Sequence, residues 1–90
     1  MSKRGDYMFI NKTNEGKNNL CGQRVARFRV AAGMSQRQLA EALQLVGLDV
    51  DKNAVQRIEC GKRFVTDIEL VYIAKVFRVS YSALLDGAEE

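Results

Sequence analysis

The punctuation of this chain constrains its fold more than any other feature. Ser35-Gln36-Arg37-Gln38 and Thr66-Asp67-Ile68-Glu69 both have the form of a capping box, a hydroxyl residue followed three positions later by Gln or Glu. Asp51 and Ser80 stand at two further helix starts, and Gly33, Gly47, Gly61 and Gly87 close the runs between them. Inside those runs the apolar residues recur at helical spacing, and no segment alternates cleanly over many residues as a strand would. With no proline to interrupt any run, the pattern predicts an all-α domain of five short helices with brief links.

The first helix is expected from about Leu20 to Ala32, with Asn18 or Asn19 as its N-cap. Val25, Phe28 and Ala32 face the core there, and Arg24, Arg27 and Arg29 take the other faces. The second is expected over residues 36–46, with Leu39, Ala40, Ala42, Leu43 and Val46 on its apolar arc. Ala40 is small enough to let a neighbouring backbone come close. Residues 47–50 form a turn in which Leu48 and Val50 plug the space between helices. Residues 52–59 form the third helix, and residues 67–77 the fourth, with Leu70, Ile73, Ala74 and Phe77 inward. A short fifth follows Ser80 and carries Leu84 and Leu85. Residues 1–18 read as a flexible N-terminal arm around one apolar patch, Tyr7-Met8-Phe9-Ile10. Residues 19–87 are the domain and 88–90 a short tail. No internal repeat or low-complexity tract is visible.

Ninety residues make one domain with a modest core. The net charge of +3 is small, but it is unevenly placed: residues 1–20 carry +2, residues 21–63 carry +4 and residues 64–90 carry −3. A basic segment coinciding with the second and third helices suits a face presented to a polyanion, although chance segregation in a small chain gives the same polarity. There is no histidine, and Cys21 and Cys60 match no zinc-site spacing. They read as reduced, half-buried packing residues. Lys3 and Arg4 are not followed by an apolar run, so no signal peptide is read, and no stretch approaches the roughly 20 apolar residues that span a bilayer. The expectation is a soluble, cytoplasmic protein that needs no membrane and no cofactor.

The third helix carries the chemistry. At about 100° per residue, Ala54, Val55 and Ile58 share one arc, and Lys52, Asn53, Gln56 and Arg57 share the opposite one. That polar arc holds two cations, two amides and no carboxylate. Arg and Lys donate to guanine O6 and N7, and Asn and Gln pair with adenine N6 and N7, so the set suits base reading in the major groove. A solvated face of an amphipathic helix has the same look. Gln36 and Arg37 lie in the first turn of the second helix, where unpaired backbone N–H groups favour a phosphate; simple exposure is the alternative. Lys62 and Arg63, just past the third helix, either grip phosphates or stabilise the helix dipole.

Taken together, these residues resemble the Cro/C1-type helix-turn-helix family of phage-repressor-like DNA-binding domains. Gly22, Val25, Phe28, Arg29 and Gly33 match its opening pattern. Met34-Ser35-Gln36 with Leu39-Ala40 matches its second helix. Arg57-Ile58-Glu59, Gly61 and Arg63 match its Arg-Ile-Glu-x-Gly-x-Arg signature, and Leu70, Ile73-Ala74, Val79 and Leu84-Leu85 its last helices. The resemblance spans roughly residues 20–87. It implies that Gln36 contacts phosphate, that Lys52, Asn53 and Arg57 occupy recognition positions, and that Arg29 and Glu59 form a structural ion pair. Two departures stand out. Val55 lies fifteen positions after Ala40, five more than in the compact family motif, which places an insertion in an extended second helix and the following turn. Val65 stands where many relatives have proline.

The expected function is a sequence-specific regulator of transcription that binds double-stranded DNA, a repressor. Lys52, Asn53, Gln56 and Arg57 read bases, and Gln36, Arg37, Lys62 and Arg63 hold phosphates. A homodimer is expected on a two-fold site, with Tyr81, Leu84 and Leu85 as candidates for its contact. The alternative is an antitoxin-like or other protein-binding module of the same fold, whose partner residues 1–18 would serve. An enzyme is not expected, since no catalytic constellation, metal-ligand cluster or glycine-rich phosphate loop is visible.

Overall fold

The computed structural model describes residues 11–87. The Tyr7-Met8-Phe9-Ile10 patch and the tail 88–90 lie outside the described residues. Those described form five helices and no strand: α1 (Gly22–Ala31), α2 (Gln36–Leu45), α3 (Lys52–Glu59), α4 (Asp67–Phe77) and α5 (Tyr81–Leu85).

The starts of the helices follow local side-chain chemistry. Ser35 Oγ accepts from the Gln38 N–H while Gln38 Oε1 accepts from the Ser35 N–H, and Thr66 and Glu69 reciprocate in the same way. Asp51 accepts from the Ala54 N–H at 2.8 Å, and Ser80 from that of Ala83 at 3.1 Å. α1 begins two residues later than its apolar pattern predicts. The N-cap is Cys21, which makes no side-chain capping bond, rather than Asn18 or Asn19; Asn19, two residues before it, accepts the Gly22 N–H at 2.8 Å.

Four helices end in one motif, with two backbone bonds closing the last turn. Gly33, Gly47 and Gly61 supply the left-handed residue after α1, α2 and α3. After α4 that residue is Arg78, at φ 58°. Its N–H reaches Lys75 O, and the Val79 N–H reaches Ala74 O.

The core is built from Val25 of α1, Leu39, Ala40 and Leu43 of α2, Ala54, Val55 and Ile58 of α3, Ile73 and Ala74 of α4 and Leu84 of α5. Phe28 and Phe77 pack together at its edge, their ring centroids 5.7 Å apart and their planes tilted by 31°. Ala32, expected inside, lies past the end of α1 and is exposed, because the helix closes before it can turn inward. Leu20 is exposed for the corresponding reason at the other end.

The stretch that the resemblance marks as lengthened is the end of α2 and the loop after it. α2 stops at Leu45 with Val46 as its C-cap, and residues 46–51 cross to α3. Val50 plugs into the core and Leu48 packs against it. Gln44 Nε2 donates to Val50 O at 2.6 Å, and Gly47 passes over the Tyr72 ring.

The two cysteines are free, as expected, but not both half-buried. Cys21 is 1% exposed and packs in the core, whereas Cys60 caps α3 at the surface; neither is in a disulfide. Burial pushes the Cys21 thiol up from 9.0 to about 11, so it stays neutral. Among the described residues no helix is long and apolar enough to cross a membrane, and no cluster of His, Cys, Asp and Glu could hold a metal ion.

Candidate nucleic-acid interface

α3 sits with Ala54, Val55 and Ile58 sunk in the core, which turns Lys52, Asn53, Gln56 and Arg57 outward. All four are exposed. Among the described residues none of their side chains is hydrogen-bonded within the chain, and no carboxylate pairs with either cation.

Three elements meet behind that face. Arg29 Nε lies 2.6 Å and its Nη2 3.1 Å from the two oxygens of Glu59, a two-point contact between the end of α1 and the end of α3. Arg29 Nη1 also donates to Met34 O at 2.8 Å. The pair is largely buried, at 16% and 8% side-chain exposure, and no buried side-chain N or O atom among the described residues is left without a partner. The hydrogen bonds to Glu59 raise the guanidinium pKa above its already high ordinary value, outweighing burial.

Gln36 joins this knot. Its Nε2 donates to Glu59 Oε1 at 3.0 Å, so the amide is turned toward α3 rather than simply exposed. Arg63 is also engaged, donating through Nη1 to Glu69 Oε1 at 2.9 Å. Burial alone would raise the Glu69 pKa, but the bonds from Arg63 and the Thr66 N–H outweigh it and hold the carboxyl below its ordinary range. Arg37 and Lys62, by contrast, are exposed, with no side-chain hydrogen bond among the described residues.

The part of the expected arm that is described, residues 11–18, is docked against the end of α3. The Asn18 N–H donates to Gly61 O at 2.7 Å and Asn18 Nδ2 to Lys62 O at 2.9 Å. Asn19 Nδ2 donates to both Ile58 O and Arg63 O, at 3.1 and 2.7 Å. Lys17 Nζ reaches Cys60 O at 3.3 Å. Ile58 O of α3 and the carbonyls of residues 60–63 just past the helix are thus held from a segment some forty residues earlier in the chain. Sequence periodicity carries no signal for such a contact. The adjacent amides Asn18-Asn19 before a helix start were legible only as a cap.

A profile of the helix-turn-helix domain matches residues 21–86. No curated protein matches the sequence. Among solved structures, the restriction-modification controller protein C.AhdI from Aeromonas hydrophila superposes with a TM-score of 0.62 at 28% identity, over 71% of this chain and 89% of its own. The P22 c2 repressor in complex with synthetic operator 9T gives a TM-score of 0.66 at 21% identity, over 78% of this chain and 98% of its own. ComR from Streptococcus suis gives 0.61 at 25% identity, over 98% of this chain but only 26% of that one.

Proposed function

The chain belongs to the helix-turn-helix domain family, and from that premise we propose that it is a sequence-specific DNA-binding regulator of transcription, acting as a repressor. The observation that carries this is the outer face of α3: Lys52, Asn53, Gln56 and Arg57 stand exposed on a helix whose other side is locked into the core. Such side chains cost little to reorganise when they meet base edges, and each good two-point contact discriminates by ~1–3 kcal/mol. One similar structure is a repressor held on a synthetic operator, and another is a restriction-modification controller.

Phosphates are held on either side of this helix. Arg37 at the start of α2 and Lys62 after α3 are the cations open to them. Gln36 and Arg63 contribute from positions already fixed by Glu59 and Glu69, which makes them rigid contacts with less reach. An eight-residue helix reads few base pairs, so the regulator acts as a homodimer on a two-fold site, its half-sites about one helical turn or a multiple of it apart. Tyr81 and Leu85 are exposed near the C-terminus and fit that contact; Leu84 is fully buried and belongs to the core.

The test is selection from a randomised duplex library, followed by affinity for the winner at two salt concentrations. A palindromic consensus bound far more tightly than random DNA at both salts is expected. Weak, consensus-free binding that vanishes as salt rises would leave only a basic surface and turn the reading to a protein-binding module.

A further inference from the structure

The segment that clasps the end of α3 carries more charge than that task needs. Lys17 lays its stem across Gly61, where a β-carbon would stand 2.5 Å from Lys17 Cδ, and its ammonium meets Cys60 O. Lys12 Nζ lies 2.7 Å from Asn18 Oδ1, and the same amide donates to Lys62 O at 2.9 Å. Two ammonium groups are therefore held around residues 60–62, beside exposed Lys62. Among the described residues the ion pairs are Arg29–Glu59 and Arg63–Glu69, so no carboxylate neutralises any of these three lysines. Glu15, the acid of the segment, pairs with none of them.

A helix C-terminus favours one nearby cation, and Lys17 fills that role. Lys12 is hydrogen-bonded to a neutral amide, and the Lys62 ammonium makes no hydrogen bond or ion pair among the described residues. Three unneutralised cations clustered at one end of a base-reading helix match the chemistry of a polyanion backbone. We propose that Lys12 and Lys17 are phosphate-contacting residues, which with Lys62 grip the DNA strand that passes the C-terminal end of α3. The docked segment is thereby part of the DNA interface as well as a brace for the helix. This rests on the DNA-binding reading above.

The experiment measures affinity of the full chain for its selected duplex across a salt series, wild type against Lys12→Met/Lys17→Met. Each phosphate contact steepens the logarithmic salt slope by about 0.9. The double variant is expected to lose about 1.8 from that slope, so a tenfold rise in salt costs the wild type about 60-fold more affinity than it costs the variant. The selected consensus stays the same, and Lys12→Arg/Lys17→Arg keeps the wild-type slope. Should the double variant lose its helical circular dichroism, Lys12→Met alone decides, with about 0.9 expected. An unchanged slope in a folded variant, with the wild type still binding its consensus, overturns this proposal alone. If the wild type shows no consensus and no salt-dependent binding, the DNA-binding reading falls and takes this with it.

Discussion

Gly22 at the start of α1 lies against the backbone of Ile58 in α3: a β-carbon on Gly22 would stand 2.2 Å from the Ile58 carbonyl oxygen and 3.1 Å from that of Glu59. The obstacle is main chain, which cannot swing aside as a side chain would. Gly22→Ala must therefore separate the two helices or distort one of them. Overpacking of this kind costs about 1–3 kcal/mol, and a rigid backbone neighbour places this case at the upper end. Urea unfolding should show a lower midpoint at unchanged slope. A loss below about 0.5 kcal/mol, the range of ordinary surface changes, would mean that α1 and α3 are not in such close contact.

Glu59 is the hinge of a three-way contact with Arg29 and Gln36, and its removal strands both. Breaking one partner of a buried pair costs ~3–5 kcal/mol, because the remaining charge stays desolvated. Arg29 retains the Met34 carbonyl and some solvent, so Glu59→Ala is expected near the low end of that range. Arg29→Met combined with Glu59→Met removes the stranded charge and should cost less than Glu59→Met alone. A double-mutant cycle by denaturant unfolding checks the ordering, and additive single effects would deny the coupling.

The Arg63–Glu69 pair makes stability depend on acid. Glu69 is held below the ordinary carboxylate range in the folded chain, so the unfolded chain takes up its proton first. The pair's contribution is complete above the unfolded value of about 4.3, and it is lost as pH falls through the lower folded value. Arg63→Met removes the donor. The variant should melt lower than wild type near pH 7, and the gap between the two should narrow as pH falls below about 4.3 and close once Glu69 is protonated in the folded chain. A gap that stays constant through the acid range would show that this pair does not couple stability to pH.

Arg78 occupies a left-handed position where the three preceding helices use glycine. For an L-residue with a β-carbon that conformation costs roughly 1–2 kcal/mol. Arg78→Gly relieves it, offset in part by the greater freedom of glycine in the unfolded chain. A net gain of about 0.5–1 kcal/mol is expected in thermal or urea unfolding. If the variant is less stable, the arginine side chain contributes more than its backbone costs.

How much of this was legible in the sequence depends on the reach of each interaction. The boxes Ser35–Gln38 and Thr66–Glu69 are built from neighbours three residues apart, so spacing alone reveals them. The faces of α3 follow from periodicity in the same way. Arg78 departs from the glycine rule in a turn closed by two backbone bonds, with Val79 beyond it packed against the core. The contacts of Lys17, Asn18 and Asn19 leave no local signal, because their partners lie some forty positions away. Gln36 and Arg63 look like solvent-facing phosphate contacts until the fold brings Glu59 and Glu69 beside them. The sequence order of Cys21 and Cys60 likewise carries no hint that one is core and the other surface.

Arg57 and Lys62 lie five residues apart at the end of α3 and should fail in different ways. Arg57 projects from the helix face beside Asn53 and Gln56, where a guanidinium can donate twice to one guanine. Lys62 lies beyond the helix, after Gly61 has turned the chain, and on the reading proposed above it meets backbone phosphate whatever the base. Arg57→Ala should therefore cost about 1–3 kcal/mol on the preferred duplex, relax preference at one position, and leave random DNA nearly unaffected. Lys62→Ala should weaken every sequence alike and reduce the salt slope by about 1. The two variants are compared by repeating the duplex selection and by salt titration on the consensus and on random DNA. Equal losses on both duplexes for both variants would remove α3 from base reading and leave it a positively charged surface.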